Sequence, residues 1–145
     1  MTSASSHHPS RVFSDTSGLF GTAVARDQNY LVAHTILTRL QQERAQFFTT
    51  LYVLAELHAL IITRTRDLRL ALRILVGIEA GATTIVPVTA ADQAQARLTL
   101  AQRPDKLYSL TNALSFAVME RLGIERVFTF DRNFAQHGFQ LVTPD

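Results

Sequence analysis

The 145-residue chain is 47% hydrophobic and carries 14 Lys and Arg against 12 Asp and Glu, enough for one compact domain that buries roughly 70% of its unfolded surface. The near balance of charge excludes the basic stripe of a nucleic-acid coat protein, despite a pI of about 9.5. With no cysteine there is no disulfide framework and no thiolate zinc site, and a reducing compartment is the expected setting.

The opening MTSASSHHPS is polar and lacks the apolar core of a signal peptide. It reads as a flexible tail over 1–10, with His7 and His8 of the kind a cloning tag leaves, ahead of a single domain over 11–145. Arg11 to Ser14 is a short buried strand, stopped by the turn-prone DTSG of Asp15 to Gly18, which reads as a loop. Leu31, Val32, Ile36, Leu37 and Leu40 recur near helical spacing and predict a surface helix over Asp27 to Arg44. Phe47 to Thr49 is a second strand, and Thr49 or Thr50 can cap the helix that follows. That helix, Leu51 to Arg64, is apolar almost all round, so it is expected to be largely buried. Its apolar run is too short to span a bilayer, which leaves a soluble cytoplasmic protein as the expectation.

Asp67 to Glu79 predicts an amphipathic helix with Leu68, Ala71, Leu72 and Leu75 on one face and Gly81 at its end. A third strand is expected over Thr84 to Val88, then a helix over Ala90 to Gln102 capped by Thr89. Arg103, Pro104 and Asp105 force a loop. Ser109 caps a further helix that stops at Gly123, and strands follow at Arg126 to Phe130 and Phe139 to Val142. Five short strands alternating with helices imply an α/β fold: a parallel sheet covered by helices on both faces, joined by right-handed crossovers.

Two of the strands carry nearly the same text, RVFSD ending on Asp15 and RVFTFD ending on Asp131. Each puts an acid just past the carboxyl end of a buried strand, with a hydroxyl residue one or two positions before it. If the two strands are neighbours at a topological switch point, the acids face one crevice; the plain alternative is that each caps the next helix. Glu56 lies in a run of Leu, Val, Ala and Ile, where a buried carboxylate needs a partner; the plain alternatives to a functional site are a salt bridge to an arginine such as Arg64 or Arg66, or snorkelling to the surface. His58 reads as a packing or surface residue, and His34 and His137 carry no ligand spacing. Asn112 is the third residue of the Ser109-capped helix, close to its positive end. Carboxylates gathered in one crevice repel, which raises their pKa values or recruits a divalent cation. Oxygen ligands without Cys or clustered His select magnesium or manganese, and such a site hydrolyses phosphodiesters.

In order and spacing, FSDTSGLF, LAELHAL, SLTNALSFAVMERLGI and VFTFDRNF resemble the PIN domain, particularly the VapC-type toxins of toxin-antitoxin pairs, over about Val12 to Val142. The resemblance implies a three-layer α/β/α sandwich with a parallel five-stranded sheet and a Mg2+- or Mn2+-dependent ribonuclease. It also implies RNA as substrate, a cognate antitoxin as partner and frequent homodimers. Carried over by position, Asp15, Glu56, Asn112 and Asp131 are the catalytic set, with Asp15, Asn112 and Asp131 holding metal. Thr16 and Ser109 line the site as water or phosphate ligands, and Asn133 stands where relatives often carry another acid.

At position 112 the family phrase is SLTD, and here it is Asn112. An amide can coordinate through its carbonyl oxygen but brings no charge and cannot act as a base. An engineered silencing, a naturally weakened member, or a site that works with three acids would each explain it. The competing function is a non-catalytic module that keeps the fold to bind RNA or a protein. DTSG also resembles the aspartic-protease signature, but that β-rich fold needs two such loops and this helix-rich chain has one.

Overall fold

The computed structural model describes residues 10–145; the tail with His7 and His8 lies outside the described residues. Five parallel strands, β1 (Arg11–Ser14), β2 (Gln46–Thr49), β3 (Thr84–Ile85), β4 (Arg126–Phe128) and β5 (Gln140–Leu141), form one sheet in the order β3-β2-β1-β4-β5. The helices are α1 (Thr16–Ala23), α2 (Tyr30–Gln42), α3 (Leu51–Thr65), α4 (Leu68–Ala80), α5 (Ala90–Gln102), α6 (Leu110–Leu122) and α7 (Asn133–Gln136). From β1 the chain builds outward to β2 and β3, then returns to β4 on the other side. The strands ending in Asp15 and Asp131 are therefore hydrogen-bonded neighbours, with Phe13 opposite Val127 and Ser14 opposite Phe128.

The pleat sends alternate residues to opposite faces. Phe13 and Val127 pack with Val53, Phe116, Met119 and Phe134 on the face covered by α3, α6 and α7. Val12 and Phe128 pack with Ala33, Ile36 and Leu40 of α2 on the other. Outside these layers, α1 joins α3 and α4 through Phe20, Leu57, Ile61 and Ala71, and α5 lies on α6 through Ala96, Ala113 and Leu114.

Several boundaries differ from expectation, each for a local reason. The strand expected over Thr84 to Val88 ends at Ile85, because Pro87 has no N–H for the ladder. The strand expected to reach Phe130 ends at Phe128. Beyond it the Phe130 and Asp131 N–H groups bond instead to the hydroxyls of Ser17 and Thr129, at 2.8 and 3.0 Å. DTSG is not a loop: Asp15 is the N-cap of α1 and the helix runs directly from Thr16. Gly18 serves packing here, since a Cβ on it would come within 2.4 Å of the Phe128 carbonyl oxygen.

Helix α3 is not largely buried. Val53, Leu54, Leu57 and Ile61 face inward, while Leu51, Tyr52, Ala55 and Glu56 are exposed. On α4 only Ala71 of the expected apolar face is buried, and Leu68, Leu72 and Val76 form an exposed stripe. Thr50 rather than Thr49 caps α3, accepting from the Val53 N–H at 3.3 Å. Thr49 instead donates to the Ser14 carbonyl oxygen at 2.8 Å and ties β2 to β1.

Candidate active site

The crevice lies at the carboxyl edge of β1 and β4, where the sheet order reverses direction, which is where open α/β sheets place their ligands. Asp15 follows the last residue of β1 and is only 3% exposed. Thr129, buried just past β4, donates its hydroxyl to Asp15 Oδ2 at 2.8 Å and accepts the Asp131 N–H at 3.0 Å. Its proton is thereby committed, so the Ser17 hydroxyl, 3.0 Å away, donates to it. One threonine thus couples the two strand-end acids. Glu56 reaches the group from α3, where its Oε1 accepts the Thr16 hydroxyl at 2.6 Å.

Burial is the largest influence on Asp15 and lifts its pKa from 3.8 to about 6, partly offset by donors from Thr129 and the Thr16 backbone. The charges of Asp131 and Glu56 raise it further, so the three acids share one electrostatic field. No arginine or lysine answers them among the described residues: Glu56 is exposed at the crevice rim and forms no salt bridge, so the alternative of a pairing with Arg64 or Arg66 is not what is found. Its neighbours Ala55 and Ala59 also face solvent, so the apolar text around it did not mean burial.

Helix α6 delivers position 112. The Ser109 hydroxyl accepts from the Asn112 N–H, and Asn112 Oδ1 accepts from the Ser109 N–H, both at 3.0 Å, a closed capping box. Asn112 Nδ2 then donates to Asp131 Oδ2 at 3.2 Å. Both bonds require the same orientation of the amide, which otherwise would set oxygen against oxygen and N–H against N–H. Asn133, from α7, closes the circle by donating its backbone N–H to Asp131 Oδ1 at 2.9 Å and its Nδ2 to Asn112 Oδ1 at 3.4 Å.

The donor chemistry suits a hard cation, with three carboxylates and no sulfur or imidazole. The arrangement falls one charge short of the expected set. Asn112 turns N–H, not oxygen, toward Asp131, and no group of three or more His, Asp or Glu side chains is gathered closely enough to hold a metal ion among the described residues. Asp15 and Asp131 are the residues that would hold one, with Glu56 facing them. Of Thr16 and Ser109, expected as substrate ligands, Thr16 donates its hydroxyl to Glu56, while the Ser109 hydroxyl accepts the Asn112 N–H in the α6 cap and keeps its own proton. Sequence reading missed Thr129 and Ser17 as site residues; the hydroxyl two positions before Asp131 was the available signal for Thr129, whereas Ser17, which follows Asp15, had none. His34 and His137 are packing residues. The first bonds the Thr22 carbonyl at 2.9 Å, and the second stacks on Phe116 with ring centroids 4.3 Å apart.

Residues 12–140 match the family model described as the PIN domain. Over 58 residues the chain is 40% identical to the 23S rRNA-specific endonuclease VapC20 of two Mycobacterium tuberculosis strains, a match covering 40% of this chain and 44% of theirs. The chain thus aligns with less than half the length of these curated relatives. The crystal structure of Mycobacterium tuberculosis VapC20, titled a Sarcin-Ricin loop cleaving toxin, superposes with a TM-score of 0.79 at 29% identity, covering 88% of this chain and 95% of that one.

Proposed function

From the premise that this chain belongs to the PIN domain family, we propose that it is built as a divalent-metal-dependent endoribonuclease of the VapC toxin type, held back by Asn112. The observation that carries this reading is that Asp15, Asp131 and Glu56, from three separate elements, are tied to one another through Thr129 and Thr16 at the edge where β1 and β4 end, with the charges of the other two acting on Asp15. No lysine or arginine forms a salt bridge with them among the described residues, and that unanswered negative charge supports a positively charged ligand. Magnesium or manganese bound by Asp15 and Asp131 would supply charge neutralisation at a scissile phosphate.

Around that charge, each residue has a definite task. Glu56 has one oxygen fixed by Thr16 and the other open to solvent, so it can accept a proton from an attacking water at Oε2. Thr129 holds the Asp15 carboxylate and the Asp131 backbone in register. Asn112 keeps the capping box that an aspartate would form, yet its Nδ2 occupies the place where a second carboxylate oxygen would complete the ligand set. Metal affinity and turnover both fall as a result.

The reading includes RNA as substrate, and large-subunit ribosomal RNA is the first candidate because it is the named target of the relatives. It also includes a cognate antitoxin, self-association and a cytoplasmic setting. The exposed Leu68, Leu72 and Val76 stripe supports a protein partner, and no described helix is long and apolar enough to cross a membrane. The decisive experiment is Asn112→Asp. It should confer Mn2+- or Mg2+-dependent cleavage of RNA, and adding Asp15→Asn should lower that rate by at least about a hundredfold. If the Asn112→Asp protein cuts no RNA in a total cellular pool, the nuclease reading fails. The second reading, a PIN-fold module that binds without cutting, is favoured by the Asn112–Asp131 hydrogen bond, since an amide already partners the carboxylate a metal would need. It predicts RNA binding by the Asn112→Asp protein with no metal-dependent cleavage.

A further inference from the structure

The segment between α5 and α6 enters the crevice region at Ser109, and one of its residues is held in a way that packing does not explain. Leu107 has a left-handed backbone, φ +55, and its side chain is 87% exposed. A side chain with a Cβ adopts that conformation at a cost, and glycine or asparagine would end the preceding 3-10 turn more easily. Arg44 and Arg66 also have positive φ, but each is a long polar residue whose exposure needs no reason. A leucine bears the strain and the exposure together.

The loop does not hang free. The adjacent Tyr108 is buried, with its ring edge-on to Phe116 at 5.0 Å and its hydroxyl 3.3 Å from His137 Nδ1. One residue further on, Ser109 is hydrogen-bonded to Asn112, and Asn112 to Asp131. Leu107 is therefore presented rigidly, two residues from a group bonded into the carboxylate network. Arg103 and Lys106 precede it on the same loop with the exposed Asp105 between them, which leaves the loop one positive charge in excess, and neither cation lies in a salt bridge among the described residues. Leu110, also exposed, extends the apolar lip by one helical position.

Unpaired cations beside a rigid apolar projection, at the mouth of an acidic crevice, match a nucleic-acid strand. Its phosphates need the cations and its base faces need an apolar contact. We propose that Leu107 is a base-contacting wedge, which packs against a nucleobase of the RNA strand and holds it out of its stack while Arg103 and Lys106 hold the neighbouring phosphates. Apolar side chains inserted at base steps act in this way elsewhere. The proposal rests on RNA being the substrate and names the residue that shapes which RNA conformation the site accepts.

The test uses the full chain, without divalent cation so that no cutting intervenes. The probe is a short single-stranded RNA carrying 2-aminopurine at each position in turn, whose fluorescence rises when that base leaves its stack. The chain as it stands should bind and raise the signal at one position. Leu107→Gly should weaken binding about fivefold to tenfold and remove the rise, while the melting temperature holds or climbs, because glycine takes φ +55 freely. Leu107→Asn, which also tolerates the left-handed backbone, should behave the same way and guards against a glycine-specific effect. Arg103→Ala should weaken binding and leave the rise in place. If both Leu107 variants are folded and bind and unstack the RNA as before, the wedge is wrong. Should that happen while Asn112→Asp cleaves RNA, only the wedge is overturned and the nuclease reading stands. If the unaltered chain binds no RNA at all, the wedge fails outright.

Discussion

Asp15 and Asp92 are the same residue type, each only 3% exposed, and each lies at or just inside the start of a helix, but Asp15 lies much deeper beneath the surface. Their environments nonetheless push them in opposite directions. Asp92 receives Arg121 through Nε and Nη2 at 2.9 and 2.8 Å, and the Thr89 N–H at 3.0 Å, so Arg121 first among these donors holds its pKa below the ordinary carboxylate range. Asp15 has a threonine hydroxyl and two acidic neighbours, and burial drives it up to about 6. A fold that can neutralise a buried acid with a guanidinium has done so at α5 and left undone the same task at β1. The difference separates an acid that fastens two helices together from an acid left without a counter-charge, the kind of perturbed group that marks a candidate site.

The largest expected break in this contrast is Asp92→Ala. It removes the ion pair, unmakes the Thr89 capping box and leaves Arg121 facing a buried gap. Arg121 is 37% exposed on its side chain and can rehydrate, so the cost is discounted to about 2–3 kcal/mol of unfolding free energy, measured by urea denaturation at neutral pH. Because the folded pKa of Asp92 is depressed, its contribution is present above the unfolded carboxylate pKa and is lost as pH falls through the folded value. The difference between the two proteins should therefore shrink in acid.

Asp15→Asn should do the reverse. A carboxyl whose folded pKa is raised from 3.8 to about 6 binds its proton more tightly when folded. Its stabilising contribution is full below pH 4 and is lost as pH rises through about 6. At pH 8 the substitution should stabilise the chain by about 2 kcal/mol, within the upper bound of roughly 3 that the shift allows, and below pH 4 the gain should vanish. Paired denaturation curves at the two pH values check this. Equal stability of both proteins at pH 8 would mean that Asp15 is as well satisfied as Asp92, and the contrast would collapse.

Much of this was legible in the chain. The twin texts RVFSD and RVFTFD marked both acids as strand ends, and the condition that the two strands be neighbours is met by the pairing of β1 with β4. Ser109 and Gly123 bounded α6, since caps are local chemistry. The bounds expected for α5 are those found. What failed depended on the third dimension. DTSG reads as a turn by composition, and becomes a helix because Gly18 allows it to press against the Phe128 carbonyl. Glu56 lies among apolar letters, but the α1–α3 contact selects Leu57 and Ile61 and leaves Glu56 at the rim, free to meet Thr16. Thr129 was visible only as a hydroxyl before an acid; its role as the bridge to Asp15 exists once β4 lies beside β1.

The smallest expected effect lies one turn along α6 from Asn112. Ser115 is fully buried and its Oγ has no hydrogen-bond partner among the described residues. An orphaned hydroxyl inside the layer beneath the site carries a desolvation cost without a compensating bond. Asp15, by contrast, accepts the Thr129 hydroxyl, and what it lacks is a counter-charge. If Ser115 merely fills space, Ser115→Ala removes the cost, keeps the helix, and should stabilise the chain by about 0.5 kcal/mol, with RNA binding and Asn112→Asp cleavage unchanged. A loss of stability on that substitution, or a loss of cleavage at unchanged stability, would move Ser115 from the packing to the site. The polar network at the end of β4 would then extend a full turn deeper into α6 than the bonds among Asp131, Asn112 and Asn133 reach.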